Sequence, residues 1–376
     1  MILMTVNSGS ASIKLAAFEA NGAEPPRRID QEHRHDPDAD ARKVLGAFLR
    51  RADMTQLVAV AHRVVHGGTR LIGPVRIDAA VEAEIDALSP LAPLHNPLAL
   101  RWVAAARALC GSNVAQVAAF DTAFFANLPR VAAEYALPAS IGTDHGVRRY
   151  GFHGLAHEAL WRRWCELRPD LAAAGRLITL QLGGGASVSA IAAGHPIDTS
   201  MGFSPLEGLV MATRSGDIDP AVIPYLERRL GCSSERIVER LNRDSGLRGL
   251  SGVTSDMSEL IGSSTAEARF AVELYCYRAR KYVGAYLAAL GGCDGIVFGG
   301  GVGEHIPGVR ERILLGMTWA GIAVDRAAND VAIGREARIS SAATPVSVYV
   351  IPVDEEQALA RAALHCLGDS RAHKSR

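Results

Sequence analysis

Two stretches that repeat each other constrain the fold of this chain more than any other feature. Residues 9–16 read GSASIKLA and residues 184–191 read GGASVSAI, so the copies lie 175 residues apart. Each follows an apolar segment and runs into another, which predicts a β-hairpin with a turn of small residues. Unrelated hairpins also use glycine and serine, so this match alone does not distinguish a duplicated chain from a coincidence. Evidence from the rest of the sequence is needed.

The layout of the other elements favours duplication. Apolar strand candidates lie near 57–65, 114–120, 295–300 and 346–351, and helical patterns lie near 98–109, 155–167, 266–290 and 354–366. Strands that alternate with helices are typical of an α/β fold. At 376 residues the chain is also longer than one hydrophobic core usually serves. We therefore expect two duplicated α/β lobes, the first of residues 1–147 with 357–376 and the second of residues 148–356.

Composition excludes several classes of function. The 40 basic and 40 acidic residues cancel, whereas general nucleic-acid binders carry a basic surplus. The six cysteines are far apart and form no C-x-x-C pair, which indicates neither a zinc site nor a disulfide framework. The opening MILMTV is too short for the core of a signal peptide, and no run of 18 apolar residues occurs. We expect a cytoplasmic protein that binds neither nucleic acid nor membrane.

The triple glycine at Gly183, Gly184 and Gly185 indicates a phosphate. Bare backbone raises the entropic cost of folding, so adjacent glycines imply that something approaches the chain closely. The P-loop pattern G-x-x-x-x-G-K-[ST] is absent from the sequence, which excludes a Walker-type NTPase. Backbone N–H groups of two facing hairpin turns can instead hold a phosphate chain. With VFGGGVGEH at 297–305 as a glycine turn between strand and helix, this arrangement resembles the sugar kinase, actin and heat-shock chaperone ATPase superfamily.

Polar residues in apolar surroundings indicate the chemistry. Arg63 lies within an apolar strand, His95 lies between prolines, Asp121 ends a strand, and His153 and Arg214 follow in polar loops. Each alone is equally well explained as a satisfied buried group or an ion pair. Together they favour phosphoryl transfer, in which arginine neutralises the anions. A carboxylate acceptor is already ionised at neutral pH and requires no strong base, whereas a sugar acceptor would require one.

The motifs that carry these residues identify a family. The chain resembles the acetokinase family over essentially its full length, through VNSGSASIK, HRVVHGG, LAPLHNP, FDTAFFANLP, YGFHG, DTSMGFSPLEGL, TRSGDIDP and GVGEH. The resemblance implies two duplicated ribonuclease-H-like lobes with a nucleotide cleft between them. It also implies a homodimer that transfers phosphoryl groups between ATP and acetate, giving acetyl phosphate and ADP.

The resemblance also assigns cofactor residues. It implies that Asn7 and Glu355 hold Mg²⁺, with Mn²⁺ as an alternative. Taken without it, Asn7 is a turn residue and Glu355 a charge that favours a helix N-terminus. The residues implied to contact ATP or ADP are Lys14, Ser10, Ser12, Gln181, Leu182, Gly183, Gly184, Gly185, Asp256, Met257, Ser258, Gly301, Val302, Gly303, Glu304 and His305.

On the acyl side, the resemblance implies that Arg63 binds the substrate carboxylate and that His153 and Arg214 stabilise the transition state. Asp121 is the family's proposed proton donor and acceptor, but since a carboxylate needs little deprotonation, we interpret it as an orienting or metal-linked group. The remaining substrate-binding residues implied are Val65, Leu94, His95, Phe152 and Pro205. The acyl pocket implied by Val65, Leu94, Phe152 and Pro205 is apolar and small, so acetate is expected to be preferred over propionate.

Three departures from the family pattern lie on the nucleotide side. Gln181 and Gly184 stand where relatives commonly have His and Asn, Ser258 replaces an Arg, and His305 replaces an Asn. They leave open a different phosphoryl donor, such as another NTP or pyrophosphate. A propionate or short-chain acid kinase, an ATP-driven conformational protein and an acetyl phosphate sensor are the competing interpretations of the chain.

Two further interpretations concern helices. His153 and His157 stand at i, i+4, and because the nearby sequence offers no third ligand, His157 is taken as helical packing. The helix predicted near 266–290 is interpreted first as a core helix, and second as part of a dimer face. Its expected core residues are Phe270, Leu274, Tyr282, Tyr286 and Leu290.

Overall fold

The structure is a computed structural model that describes residues 1–9, 12–21, 25–36, 39–51 and 54–374. The chain divides into two units, the first comprising Met1–Ala126, Phe152–Ala159 and Asp354–Arg376 and the second Asn127–Gly151 and Leu160–Val353. These limits differ from the sequence-based division, because the chain passes from one unit to the other four times rather than twice. The division into 1–147 with 357–376 and 148–356 stays a prediction about functional domains.

The first unit is built on a six-stranded sheet with the order β3-β2-β1-β4-β6-β5. Strands β1 and β2 form the expected hairpin, while β4 and β6 run parallel to β1. The strands are β1 (Ile2–Ser8), β2 (Ile13–Glu19), β3 (Arg27–Arg34), β4 (Leu57–Val64), β5 (Val75–Arg76) and β6 (Ala115–Phe120). The helices are α1 (Ala41–Arg51), α2 (Ala79–Ala87) and α3 (Asn96–Cys110), with α14 (Glu355–Lys374) from the end of the chain.

Helices cover both faces of this sheet because the strands are apolar on both sides. Met4 and Val6 pack with Phe48 of α1 and Trp102 of α3 on one face. Leu3 packs with side chains of α14 on the other face. Alternation along β1 therefore places residues 3, 5 and 7 on the α14 side.

The second unit repeats this plan. Its sheet has the order β11-β12-β10-β7-β8-β9, in which β7 and β8 form the second expected hairpin and β10 and β12 run parallel to β7. The strands are β7 (Arg176–Leu182), β8 (Ala186–Ala192), β9 (His195–Thr199), β10 (Gly295–Gly299), β11 (Ala337–Arg338) and β12 (Ser347–Val350). The helices are α4 (Arg130–Ala133), α6 (Val222–Leu230), α7 (Ser234–Arg243), α8 (Gly246–Ser251), α9 (Met257–Gly262), α10 (Ala266–Leu290), α11 (Gly300–His305), α12 (Pro307–Leu314) and α13 (Arg326–Val331).

The two sheets confirm the predicted duplication. Both sheets have the same plan. Each begins with an antiparallel three-stranded meander, continues with two strands parallel to the first strand of the meander, and ends with a short antiparallel edge strand. This is the ribonuclease-H-like α/β architecture, present twice. Helix α5 (Gly154–Leu167) begins in the first unit and ends in the second. No helix within the described ranges is both long and apolar enough to cross a membrane.

The predicted core residues of α10 need correction. The helix has the predicted bounds, but Phe270 is 54% exposed, and among the five expected core residues only Tyr286 is buried. The buried stripe instead combines three alanines and other small side chains with Tyr275, Tyr286 and Leu287. Its members are Ala268, Ala271, Val272, Tyr275, Cys276, Ala279, Val283, Tyr286 and Leu287.

Candidate functional site

Three polar side chains of the first unit meet where its parallel strands end. Asn7 lies near the end of β1, Arg63 near the end of β4, and Asp121 directly after β6. The register pairs Val6 with His62 and Val64 with Phe120, so the three residues occupy neighbouring positions. The carboxyl ends of parallel strands are the usual ligand-binding edge of α/β sheets. Asp121 directly follows the apolar β6, whereas Asn7 and Arg63 are polar residues in the last two positions of otherwise largely apolar strands.

Arg63 is held at the centre of this cluster. Its Nε donates to both oxygens of Asp121 at 3.0 and 3.2 Å, and its Nη2 donates to Asp121 Oδ2 at 2.6 Å. Its Nη1 donates to Asn7 Oδ1 at 3.2 Å. Burial alone would lower the pKa of the guanidinium, but the carboxylates of Asp121, Glu355 and Glu356 raise it above its ordinary value. Arg63 is therefore a fixed cation at the strand ends.

The start of α14 brings two carboxylates to Asn7. Asn7 Nδ2 donates to Glu355 Oε2 at 2.7 Å and to Glu356 Oε1 at 2.9 Å. Lys14, paired with Asn7 across the hairpin, has its Nζ 3.9 Å from Glu356. Burial alone would raise the pKa of Glu355, but Arg63, Asn7 and Lys14 lower it below its ordinary range. Glu355 is thus ionised at neutral pH.

This donor set fits a magnesium ion. Mg²⁺ prefers oxygen ligands, keeps several waters, and uses one or two carboxylates together with substrate phosphates. Glu355, with Glu356 beside it and the amide oxygen of Asn7, supplies groups of this kind. The described residues contain no group of three or more His, Cys, Asp or Glu side chains that would form a closed protein cage. The assignment of Asn7 and Glu355 to the metal stays a prediction.

His153 adjoins the same cluster with an unusual backbone. Its φ of +58° lies in the left-handed region, where a residue with a side chain is strained by about 1 to 2 kcal/mol. The next residue, Gly154, donates its N–H to the carbonyl oxygen of Asp121 at 3.0 Å, and a Cβ on Gly154 would lie 2.1 Å from that oxygen. The charge of His153 also contributes to the lowered pKa of Glu355. Strained conformations of this kind are concentrated at functional sites.

His157 fits the structural interpretation. It is fully buried one turn along α5, and its ring makes an edge contact with Phe125 at 5.9 Å between centroids. Burial and the charge of His153 lower its pKa well below the ordinary value. A neutral buried imidazole packs the helix onto the first unit.

The candidate acyl-pocket residues of the first unit differ in exposure. Val65 and Phe152 are buried, and the Phe152 ring contacts His66 at 5.7 Å between centroids. Leu94, by contrast, is 46% exposed, and His95 directly precedes α3. Buried Val65 and Phe152 therefore have the character expected of an acyl pocket, and Leu94 only in part.

A buried asparagine fixes the loop that follows Val65. Asn96 accepts from His66 N at 3.1 Å and donates to the carbonyl oxygens of His66 and Ile85 at 3.1 and 3.3 Å. Thr122 Oγ1 accepts from Gly67 N at 3.0 Å. The sequence analysis missed both Asn96 and Thr122 as positioning groups, although each lies beside a selected residue, His95 or Asp121.

Arg214 and Pro205 lie in one irregular segment of the second unit. The segment joins β9 to α6, and Arg214 Nη1 donates to the carbonyl oxygen of Pro205 at 3.1 Å. The guanidinium is partly buried, as a group that meets an anion should be. The structure thus brings two of the predicted substrate residues together.

The glycine loop after β7 has space for a side chain at Gly184. A Cβ on Gly184 would meet no atom within 4 Å, and Gly184 does not adopt a positive φ. Packing therefore does not explain the glycine, and its contact with a nucleotide stays a prediction. Gln181, two residues before the triple glycine, has a buried Oε1 that lacks a hydrogen-bond partner in the described part of the chain. A buried polar atom without a partner is costly, which makes this edge a candidate for ligand contact.

The third glycine segment, α11, is fixed from two sides. Glu304 Oε1 accepts from Gly300 N at 2.8 Å and from Val353 N at 3.1 Å. Arg310, fully buried, donates to the carbonyl oxygens of Gly303 and Glu304 at 2.8 and 3.1 Å. The carboxylate predicted to contact nucleotide thus holds the loop.

The rest of α11 is unevenly exposed. Gly301 is exposed, while Val302 is half-buried. His305 is exposed and bonds through Nδ1 to the Gly301 oxygen at 3.0 Å.

The segment 256–258 forms the start of α9, and its assignment to the nucleotide stays a prediction. Asp256 caps α9, its Oδ1 accepting from Ser258 N at 2.7 Å and Glu259 N at 3.2 Å. Met257 is buried, while Ser258 is exposed. Asp256 and Ser258 are therefore the two residues of this segment whose side chains are exposed.

The turn of the first hairpin is described in part. Ser12 accepts from Gly9 N through its carbonyl oxygen at 2.9 Å, whereas Ser10 lies outside the described residues. The sequence analysis missed Glu356, although it adjoins Glu355, because one acidic residue at a helix start looks like any other. It also missed Arg310, which lies in an ordinary helical pattern.

Comparison with known proteins identifies the family. The model of the acetokinase family matches residues 26–361. An acetate kinase from Chloroherpeton thalassium is 47% identical over 314 residues, which cover 82% of this chain and 75% of that protein.

Solved structures agree as well. The crystal structure of Porphyromonas gingivalis acetate kinase superposes with a TM-score of 0.87 at 36% identity, covering 97% of this chain and 99% of the other. A propionate kinase from Francisella tularensis gives a TM-score of 0.86 at 31% identity, covering 96% and 98%. The chain belongs to the acetokinase family.

Proposed function

We propose that this protein is a phosphotransferase that moves a phosphoryl group reversibly between ATP and acetate, giving ADP and acetyl phosphate. The observation that carries the proposal is the cluster at the strand ends of the first unit. There a fixed guanidinium, Arg63, lies beside a carboxylate pair at the start of α14 and the strained His153. These are the groups that an anionic acceptor and a metal-bound phosphate need.

The acceptor needs orientation more than activation. Acetate has a pKa of about 4 to 5 and is ionised at neutral pH, so its oxygen attacks the γ-phosphorus without losing a proton. The obstacle is repulsion between two anions. Arg63 binds the acetate carboxylate through its N–H groups, while Asp121, hydrogen-bonded along the other edge of the guanidinium, fixes its plane. Asp121 is thus an orienting group in this mechanism.

Charge that develops on the transferring group requires further donors. We assign His153 and Arg214 to this role, since imidazole and guanidinium donate to phosphoryl oxygens and gain strength as negative charge accumulates. Magnesium, held by Glu355 and Asn7, would neutralise phosphate oxygens when bound. Lys14 contributes a further positive charge beside Glu356.

The glycine segments of the second unit serve the nucleotide in this proposal. Gly183 N–H donates to the Gly185 oxygen at 2.9 Å and shapes the turn, so the N–H groups of Gly184 and Gly185 are the candidates for phosphate contact. The exposed Gly301 and Ser258 are the further candidates for contact with the nucleoside. Gln181 and Gly184 leave the preferred phosphoryl donor, ATP, another NTP or pyrophosphate, to be measured.

A coupled assay tests the proposal. Purified protein with acetyl phosphate, ADP and magnesium should form ATP, and the same mixture without ADP should release phosphate no faster than the uncatalysed control. A panel of nucleotides and pyrophosphate identifies the phosphoryl partner. Phosphate release from ATP in the absence of acetate would instead favour a conformational ATPase, and binding of acetyl phosphate without transfer would favour a sensor.

The second candidate is a propionate kinase, which the similar Francisella structure favours. Val65 is 4% exposed, and each methylene in an apolar pocket changes discrimination by about 1 to 3 kcal/mol. Val65→Ala should therefore raise the ratio of kcat/KM for propionate to that for acetate by about tenfold or more. Val58→Ala, on the same β4 strand, is the matched control and should leave the ratio unchanged. A wild-type enzyme with higher kcat/KM for propionate than for acetate would establish the second candidate.

A further inference from the structure

The segment that carries Pro205 and Arg214 has no regular structure, yet it is held in place. Residues 200–217 contain no helix or strand, and Met201, Leu209 and Met211 in it are buried. A buried backbone outside helices and sheets needs hydrogen-bond partners from side chains. Two acidic residues of the segment, Glu207 and Asp217, supply them.

Asp217 closes the part of the segment that contains Arg214. Its Oδ1 accepts from Gly208 N at 2.8 Å, and its own N–H donates to the Gly208 oxygen at 3.0 Å. Its Oδ2 accepts from the phenol of Tyr282 on α10 at 2.7 Å. Burial and the bond to Asp217 raise the pKa of Tyr282, so the phenol remains a donor at neutral pH. The ten-residue loop from 208 to 217 is therefore closed and attached to a long helix.

Glu207 closes the part of the segment that contains Pro205. Its Oε1 accepts from Arg149 Nη2 at 2.7 Å, and its Oε2 accepts from the phenol of Tyr135. Arg149 Nη1 also donates to the carbonyl oxygens of Thr199 and Ser200 at 3.0 and 3.3 Å. Arg149 thus joins the start of the segment to its eighth residue.

A glycine makes room for this carboxylate. A Cβ on Gly202 would lie 1.6 Å from Glu207 Oε2, so any larger residue would displace the carboxylate. The Gly202 oxygen in turn accepts from Tyr150 N at 3.0 Å. The glycine and the carboxylate are therefore fitted to each other.

Arg214 bridges the two closed parts. Its Nη1 donates to the Pro205 oxygen at 3.1 Å, and its carbonyl oxygen accepts from Met211 N at 3.0 Å. The direction of the guanidinium therefore depends on both closures. A shift of about 1 Å in a positioned group costs on the order of 100-fold in rate, so such support has kinetic consequences.

We propose that Asp217 and Glu207 are positioning residues for the guanidinium of Arg214, Asp217 through Tyr282 and Glu207 through Arg149. This inference rests on the proposed function, in which Arg214 stabilises the transition state. Neither Glu207 nor Asp217 contacts substrate in the proposed mechanism, so their effect on the reaction would be exerted through Arg214.

The decisive variant is Tyr282→Phe, which removes one hydroxyl and keeps the ring. We expect kcat for ATP formation to fall about 10-fold to 100-fold, while KM for ADP and for acetyl phosphate stays within about twofold, because support for the transition state alone is lost. Tyr277→Phe is the matched control: it lies on the same helix, is 52% exposed, and should keep wild-type kcat. Glu207→Gln should repeat the pattern of Tyr282→Phe.

A double-mutant cycle separates positioning from general stabilisation. In an Arg214→Lys background, Tyr282→Phe should lower kcat by less than about twofold, because the flexible lysine does not use the same support. If Arg214→Lys is too slow to measure, the split between kcat and KM in Tyr282→Phe decides. Tm, measured for every variant, shows whether a loss merely follows the folded fraction.

Three results would overturn the inference. They are wild-type kcat in Tyr282→Phe, equal losses in the wild-type and Arg214→Lys backgrounds, and a loss of kcat that follows the fall in folded fraction. Absence of ATP formation by the wild-type enzyme would instead contradict the proposed function itself. The two failures are thereby distinguished.

Discussion

Asp121 contacts Arg63 through both carboxylate oxygens, and this contact bears on what each residue can do. Two N–H donors of Arg63, Nε and Nη2, hold both oxygens of this carboxylate through three hydrogen bonds, so the two groups are fixed in one plane. The geometry supports an orienting role for Asp121, as the chemistry of an ionised acceptor suggested. The sequence alone could place both residues at strand ends but could not show that they pair.

Asp121→Asn tests this role. Asparagine keeps an acceptor for Arg63 but loses the charge, so we expect kcat to fall yet to remain above that of Arg214→Ala, with the dependence on magnesium unchanged. Steady-state kinetics over a range of magnesium concentrations measure this. Equal losses in the two variants, together with a changed magnesium dependence, would favour a metal role for Asp121.

A buried histidine of the first unit predicts how stability depends on pH. His62 is 1% exposed and bonded through Nε2 to Gln116 Oε1 at 2.8 Å. Burial lowers its pKa from an ordinary 6.5 to about 4, so the unfolded chain binds a proton that the folded chain does not. Stability from this group is therefore complete above about pH 6.5 and is lost as the pH falls toward 4.

The corresponding experiment is urea unfolding at pH 7 and pH 5. His62 should account for about 2 kcal/mol of the decrease in the free energy of unfolding between these pH values, at about 1.4 kcal/mol per unit. His62→Gln should show a decrease that is smaller by this amount. Identical decreases in the two proteins would show that the histidine titrates normally in the folded state.

At the scale of elements, the glycines near the end of β7 differ in whether the fold requires them. Gly184 has open space where a Cβ would lie and a φ that any residue adopts. In contrast, Gly300 has a φ of +76° and would place a Cβ 2.6 Å from the Leu182 oxygen. The two glycines look alike in sequence, and only the structure shows that the fold requires Gly300 but not Gly184.

Gly184→Ala follows from this difference. The variant should be as stable as wild type, or more stable by about 0.4 to 1 kcal/mol, because alanine restricts the unfolded chain. KM for the nucleotide should rise, and KM for acetyl phosphate should not. Gly46→Ala, within α1, is a control expected to leave both KM values unchanged. A large loss of stability in Gly184→Ala would show that the fold requires this glycine after all.

Element bounds were predicted better than the faces of elements. The helix over residues 266–290 has the predicted limits because Thr265 caps its start and Gly291 ends it with a φ of +67°. The prediction of its buried face is wrong. The sequence pattern favours large apolar residues such as Phe270 as core residues, whereas alanines occupy several of the buried positions. Side-chain size does not reveal which face meets the sheet when both faces carry apolar residues.

At the scale of the whole molecule, the duplication could be predicted from the repeated hairpin and the alternation of strands and helices. Both signals come from the apolar pattern of the sequence, and that pattern also determines which segments form the two sheets. The groups that complete the candidate site could not. Glu356 and Asn7 are 349 residues apart and meet through two hydrogen-bonding atoms at 2.9 Å. A contact between residues so far apart leaves no local pattern in the sequence. The resemblance to the family implied a role for Glu355 but not for Glu356.

The resemblance also predicts a homodimer. Light scattering during size-exclusion chromatography at micromolar concentration should give about twice the 39.9 kDa of the chain. The outward face of α10 is a candidate for the interface, because Phe270 and Tyr277 on it are 54% and 52% exposed. Phe270→Glu should then shift the protein toward the monomer. A wild-type mass of one chain at every concentration would contradict the prediction.

Helix α14 has a consequence for biosynthesis. It covers one face of the first sheet, contacting Leu3 and Ala59, and it brings Glu355 and Glu356 to Asn7. Since proteins are made from the N-terminus and their domains fold as units, the sheet formed within residues 2–120 stays uncovered on this face until residues 355–374 have been translated. A chain released before residues 355–374 are made would therefore expose this apolar face and lack Glu355 and Glu356, and we expect proteases to remove it faster than the 376-residue chain.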